Sequence, residues 1–326
     1  MRTQDIGVGL RWRGLTADDV PAWAALLAAV EAVDRTGENF DVDDLLEELA
    51  DPNLDMAQDT VAAFDDDGVM VAYGLVRSAE LVGESDRYDL EGCVHPDHRG
   101  RGLGRAVLDR NADRAARLHR RRHPDLSGEA FLRLHDGNAD AVALARAAGM
   151  EPVRYWYDMA RDLTVPPEPA PLADGLRVIG YDAELDDAVR VARNETFADH
   201  WGCVERTESD WRQWFTGSRA FRPAISLLAL DGDEIAGFLL SYVYDADVVV
   251  SGVSEAWIGQ IGTRRPWRGR GVASALLTRA LVVYAAAGHQ RAALGVDTGN
   301  PTGALGLYER AGFTPTECWT SYARPL

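Results

Sequence analysis

Two stretches of the chain share a pattern that could do chemistry: "HPDHRGRGLGRAVL" (95–108) and "RRPWRGRGVASALL" (264–277). In each, Arg-Gly-Arg-Gly follows a strand-like segment and opens a helical one. A strand ending in such a turn exposes backbone N–H groups that lack intrahelical acceptors, at the positive end of a helix dipole, which is a ready site for a pyrophosphate. Gly100, Gly102 and Gly104, and in the second copy Gly269, Gly271 and the small Ala273, let the backbone approach an anion without a Cβ in the way. Arg99 and Arg268 add charge-assisted contacts. The lysine-free sequence has no GxxxxGK[ST], and the turn is not the GxGxxG that follows a first strand. Tight packing is the other use of such glycines, and a single copy would not separate the two.

The elements that must position these turns occur in the same order twice. Each half begins with a short strand and an amphipathic helix, "GLRWRGLTADDVPAWAALLAAV" and "GLRVIGYDAELDDAVRVARNETF". Two strands joined at Asp-Gly follow, 60–76 and 225–243, then the strand that feeds the glycine turn, 86–94 and 254–262. After the turn helix come a strand (129–134; 291–296) and a punctuated helix, with Asn138 and Asn300 placed as N-caps, Pro301 at the first helical position, and Gly149 and Gly312 just past the end. A last strand, 153–160 or 316–323, is expected to close each half. The fold class is α/β: two tandem domains, each a mixed, mostly antiparallel sheet flanked by helices. The prolines of "VPPEPAPLAD" divide the chain into residues 1–163, a linker 164–174 and residues 175–326.

Composition narrows the partners. The net charge is −18 and all 34 basic residues are arginines. Such a surface repels nucleic acid and anionic lipid and draws small cations such as amines, although acidity also simply confers solubility. Three scattered cysteines, Cys93, Cys203 and Cys318, form no CxxC pair, which points to a reducing cytoplasm with no disulfide framework and no metal site. The first residues contain no apolar signal core and no apolar run reaches membrane-spanning length, so a cytoplasmic protein is expected. Nothing in the pattern speaks to oligomeric state.

R-x-x-G-x-G (Arg99 to Gly104) and R-x-x-G-x-A (Arg268 to Ala273), each followed by an Asn-marked helix ending Ala-Gly-Met or Ala-Gly-Phe, resemble the GNAT N-acetyltransferase superfamily. "VDTGNPTGALGLYERAGF" (296–313) is similar to that family's second signature. The resemblance spans both halves. It implies acetyl-CoA as acetyl donor, with the pyrophosphate on the amides of Arg268, Gly269, Arg270, Gly271, Val272, Ala273 and Ser274, and in the first copy of Arg99, Gly100, Arg101, Gly102, Leu103, Gly104 and Arg105. It implies that the pantetheine lies along Ile261, Gly262 and Thr263, or Val94 and His95, where the family splays two strands apart, with Asn300 in the second signature.

The same resemblance assigns Tyr308 as the acid that protonates the departing thiolate; the first half has Ala145 there, which places the chemistry in the C-terminal half and makes the N-terminal copy degenerate. An amine near pKa 10.4 is almost wholly protonated at neutral pH, so a base is needed, and Glu255 is the candidate if it shares a strand face with Trp257 and Gly259. His200 and Trp201 fall where the family's substrate-binding loop lies, while Trp211 and Trp214 read as pocket wall or as core. The basic run 114–125 reads as a reach toward the CoA 3′-phosphate or as a solvated helix face. The expected activity is transfer of an acetyl group to an amine of a small molecule or peptide; a non-catalytic acyl-CoA-binding module is the rival from another class.

Overall fold

The computed structural model describes residues 9–165, 167–198, 200–300 and 303–326. Its strands are β1 (Arg11–Arg13), β2 (Thr60–Phe64), β3 (Met70–Ser78), β4 (Ser85–Val94), β5 (Ser127–His135), β6 (Glu151–Asp162), β7 (Leu176–Gly180), β8 (Leu227–Asp231), β9 (Glu234–Tyr242), β10 (Glu255–Thr263), β11 (Arg291–Asp297) and β12 (Thr314–Pro325). The helices are α1 (Val20–Asp34), α2 (Val42–Leu49), α3 (Met56–Asp59), α4 (Leu103–Arg122), α5 (Ala139–Ala147), α6 (Asp186–Phe197), α7 (Glu208–Trp211), α8 (Asp245–Ser251), α9 (Val272–Ala286) and α10 (Ala304–Arg310). Both halves therefore run through the expected order of elements, and α4 and α9 open at the two glycine turns.

The chain forms two compact units, Met1–Tyr155 with Trp319–Leu326, and Trp156–Cys318. In unit 1 the strand order is β1-β2-β3-β4-β5-β12, antiparallel except for the parallel β4–β5 pair. Helices α1 and α2 bury Trp23, Leu26 and Leu45 against one face, and α4 buries Leu108, Ala112 and Leu118 on the other. Unit 2 repeats the plan as β7-β8-β9-β10-β11-β6, with β10–β11 parallel. There α9 fills one face with Leu276, Leu277 and Leu281, and α6 and α7 cover the other with Val189, Ala192 and Trp211. Trp211 is core, 1% exposed, and Trp214 packs against the same cluster.

One expectation is corrected. The strand after each half's last helix does not close that half: β6 pairs antiparallel with β11 of unit 2, and β12 pairs antiparallel with β5 of unit 1. The physical reason is that "EPVRYWYDMARD" and "TPTECWTSYARP" share one pattern, x-P-x-x-x-W-x-x-x-A-R-x, so period-two alternation suits either strand to either open edge. The docking is matched: Arg161 donates to the Ala311 carbonyl in unit 2, and Arg324 donates to the Ala148 carbonyl in unit 1 at 2.9 Å. Each arginine thereby satisfies a carbonyl at a helix C-terminus, where cations are favoured. The proline-rich segment is fastened in unit 2, because Ala170 N–H donates to Thr278 Oγ1 (2.8 Å) and Arg279 donates to the Ala170 carbonyl (2.8 Å).

Candidate active site

In unit 2, β10 and β11 pair only from Glu255–Arg291 to Ile258–Leu294, although β10 runs on to Thr263 and β11 to Asp297. The split coincides with a register shift against β9 between Ile258 and Gln260. Gly259 sits at that shift, where an added Cβ would run into the Tyr242 ring. A bulge here bends β10 away from its neighbour. Past it, the β11-facing edge of residues 259–263 has no strand partner among the described residues, leaving peptide groups that need a ligand. Two buried side-chain atoms beside that edge, Gln260 Oε1 and Thr263 Oγ1, likewise lack hydrogen-bond partners. A chain of amides laid along this edge would satisfy them, so the residues present fit the pantetheine arm of acetyl-CoA.

At the strand end the chain turns into α9. Gly269 (φ 74°) and Gly271 (φ 78°) are both left-handed, a conformation that costs other residues about 1–2 kcal/mol. Gly271 is the N-cap, and its carbonyl accepts the first helical bond from Ala275 N–H. The N–H groups of Val272, Ala273 and Ser274 are thus left for an anion. The turn is held without help from any ligand: Trp267 is buried and donates to the Asp231 carboxylate at 2.9 Å, and a side chain of this size contributes on the order of 3 kcal/mol on burial. Arg268 donates to the carbonyls of Thr263 (3.2 Å) and Thr196 (3.4 Å) and faces no carboxylate within ion-pair distance among the described residues.

Tyr308 lies on α10, which ends with Gly312 N–H donating to the Glu309 carbonyl and Phe313 N–H donating to the Tyr308 carbonyl. This double bond pattern and Gly312 (φ 85°) make the left-handed C-terminal motif expected from the sequence. The phenol ring is 6% exposed and meets Phe313 edge-on. Its hydroxyl donates to no carbonyl or side chain among the described residues, unlike an ordinary packed tyrosine. Burial pushes its pKa up to about 12, so it keeps its proton at neutral pH. Asn300 is not the N-cap of this helix: its N–H donates to the Asp297 carbonyl in a turn, and α10 begins later, behind the left-handed Gly303 (φ 73°). Pro301 lies outside the described residues.

Glu255 stands at the paired end of β10, ion-paired with its cross-strand neighbour Arg291. Burial raises its carboxyl, and the charge and hydrogen bond of Arg291 oppose that. Further side chains converge on the same unit. The positions of Asp158 Oδ1 and Trp257 flank Gly295, whose missing Cβ leaves the space between them open. Trp156 and Trp201 approach with ring centroids 6.3 Å apart, and Trp257 and Tyr244 at 6.4 Å. His200 follows α6, its ring 5.5 Å from Phe197 and its pKa raised by a contact with Cys203 against burial, with help from the Asp297 charge. Asp158 and Trp156 are absent from any reading of the C-terminal half alone, because they arrive on β6; the repeated Trp and Ala-Arg of the two last strands were the available signal.

Unit 1 keeps the backbone and changes the side chains. Gly100 (φ 73°) and Gly102 (φ 83°) repeat the turn, Gly102 caps α4, and β4–β5 pairing stops at Asp89–Phe131. Arg99 donates to the Val94 carbonyl (3.3 Å) as Arg268 does to Thr263, but it also forms a bidentate pair with Asp34 at 2.6 and 2.8 Å. Asn138 caps α5 through Ala141 N–H (3.1 Å) and donates to the same Asp34 (3.0 Å). Arg101 is spent on the Asp97 carbonyl and Arg105 on Asp109 and the Ala147 carbonyl. His95 Nδ1 accepts from Asp97 N–H at 3.3 Å. Ala145 occupies the position of Tyr308, at the same place in the same C-terminal motif, and is fully buried. The basic run 114–125 is partly internal: Arg114 is buried on Asp59 (2.6 Å) and His119 on Asp86 (2.8 Å), so neither points to a ligand phosphate.

These features match known proteins. A profile of the Acetyltransferase (GNAT) family matches twice, over residues 26–150 and 187–313. A mycothiol acetyltransferase of Kineococcus radiotolerans is 35% identical over 269 residues, 79% of each chain. One of Streptomyces scabiei is 34% identical over 233 residues, 69% of this chain and 67% of the relative. Among solved structures, a GCN5-related N-acetyltransferase from Sphaerobacter thermophilus superposes with a TM-score of 0.75 at 27% identity, covering 97% of this chain and 95% of that one. A tandem GNAT protein from the clavulanic acid biosynthesis pathway shares the fold at a TM-score of 0.72 and 17% identity, covering 97% and 98%. Among the described residues no helix is long and apolar enough to cross a membrane.

Proposed function

Because the chain belongs to the GNAT acetyltransferase family and is an acetyl-CoA-dependent N-acetyltransferase, we propose that the chemistry resides in unit 2, with Tyr308 as its acid and Glu255 as its base. The observation that carries this reading is the Tyr308 hydroxyl, buried and without a hydrogen-bond partner among the described residues, where unit 1 has the methyl of Ala145. Acetyl-CoA supplies a thioester whose acyl carbon the amine attacks and whose sulfur leaves as thiolate. Gln260 and Thr263 bind along the splayed edge, and the amides of Val272, Ala273 and Ser274 with Arg268 bind the pyrophosphate. Tyr308 holds the proton that the leaving sulfur needs. Glu255, ion-paired with Arg291, takes the proton of the amine through water.

The acceptor is an amine, and within that class we propose the cysteinyl amine of a mycothiol precursor. Relatives named mycothiol acetyltransferase at 34–35% identity support this, as do the size, duplication and "NPTGALGLYERAGF" ending that resemble mycothiol synthases. The face bearing Trp156, Trp201, Trp257 and Asp158 suits a sugar, since rings cover its C–H faces and a carboxylate takes its hydroxyls. The test is a steady-state comparison of acetyl transfer to that precursor, to aminoglycosides and to peptide N-termini. A preference of at least ~100-fold in kcat/KM for the precursor is expected. Equal rates on simple peptides would remove the mycothiol reading and leave the acetyltransferase intact.

A further inference from the structure

Cys203 differs from the other two cysteines by the company it keeps. Its Sγ lies 3.6 Å from His200 Nδ1 and 3.8 Å from the Arg193 guanidinium. The loop that presents it is fixed on α6: Cys203 N–H donates to the His200 carbonyl (3.1 Å), Arg193 donates to the Val204 carbonyl (3.0 Å), and Asn194 exchanges hydrogen bonds with both backbone groups of Arg206 (2.9 and 3.1 Å). Cys93 is likewise half-buried, but burial first of all drives its thiol far up; Cys318 is exposed.

Arg193 supplies an independent observation. It is 3% exposed, stacked over Phe197 (4.9 Å) and Phe215 (5.5 Å), with no carboxylate within ion-pair distance among the described residues and an Nε that has no hydrogen-bond partner. Its neighbour Arg206 has Asp210 at 3.6 Å, so the two cations are not equivalent. A buried charge without a counter-charge is strongly unfavourable, and burial does lower the pKa of Arg193. Cys203 Sγ lies within its hydrogen-bond reach and can become an anion.

We propose that Cys203 is a nucleophilic thiolate paired with His200 and Arg193, and that it is a modification site at which the chain undergoes thiol–disulfide exchange with low-molecular-weight disulfides. Burial opposes the thiolate, and the His200 contact, then the charges of Arg193, His200 and Arg206, outweigh it, so the thiol lies below its ordinary range; the Cys203 contact in turn raises His200. In the step, Cys203 Sγ attacks one sulfur of the disulfide. A new S–S bond forms on Cys203, the old one breaks, and the other sulfur leaves as a thiolate that takes a proton from solvent. The small disulfide is the oxidant, and one thiol is released per adduct. The inference does not depend on the identity of the acetyl acceptor.

The experiment exposes the full-length protein to 2-hydroxyethyl disulfide and follows adducts by intact mass and peptide mapping. At about pH 6.5 the first adduct is expected on Cys203, at least ~10-fold faster than on Cys318 in the same chain. Cys203→Ser removes that fast phase, and His200→Asn, which spares the buried arginine, shifts the midpoint of the rate–pH profile upward. Labelling of Cys318 first, a Cys203 midpoint at or above about 8.5, the value of an ordinary thiol, or an unmoved midpoint in His200→Asn each overturns the proposal.

Discussion

The turns at Arg99–Gly104 and Arg268–Ala273 share a backbone, yet their surroundings diverge at three places. His98 stands where Trp267 is buried on Asp231; Arg99 is neutralised by Asp34 whereas Arg268, among the described residues, holds only carbonyls; and Ala145 replaces Tyr308. The left-handed glycines are needed in both halves simply to turn a strand into a helix. A glycine signature can therefore serve folding alone, and the two halves differ in the side chains that surround it.

The largest effect should come from the turns themselves. Gly271→Glu sets a carboxylate and a strained backbone at the anion site, and acetyl-CoA binding by calorimetry should fall by ~10³-fold or more. Gly102→Glu should leave both affinity and turnover within about threefold, although the shared backbone penalty lowers Tm in both variants. Equal losses would show that unit 1 binds the donor after all.

Tyr308→Phe should lower kcat by about 10²-fold while acetyl-CoA affinity stays within a few-fold. With its pKa pushed up to about 12, the group is protonated at neutral pH and would lose its proton only as pH rises toward that value. The kcat profile of the wild type should therefore show no falling limb below about pH 10; a fall near pH 8 would point to another acid.

Glu255→Gln should cost about tenfold in kcat and displace the rising limb at low pH, which burial of the carboxyl, opposed by Arg291, sets. An unchanged limb would assign the base elsewhere. Smallest is Asp34→Asn, which releases Arg99: stability should fall by about 1 kcal/mol in denaturant unfolding, since this pair is only partly buried, and CoA affinity in unit 1 should rise a few-fold. No gain would mean that Asp34 is not what separates the two cradles.

Much of this was legible locally. Asp67–Gly68 and Asp231–Gly232 marked hairpins, Asn138 a cap, and Gly149 and Gly312 helix ends, because each acts within one turn of its own backbone. Asn300 misled for the opposite reason: Gly303, a few residues on, takes the left-handed N-cap instead. Cys203 carried no signal at all, since neither CxxC spacing nor a metal pattern marks a sulfur whose partners come from a helix and a loop.

What the amino-acid sequence determined by itself was the duplicated order of elements, the two phosphate-type turns and the asymmetry between Tyr308 and Ala145, all set by local conformational preference and by identity at a position. Only the tertiary structure decided which sheet each last strand completes, because β6 and β12 carry the same alternation and either edge would accept either strand. It also decided that Arg99 meets Asp34 and that Arg193 meets Cys203, since charge pairing depends on distance in space and not on separation along the chain.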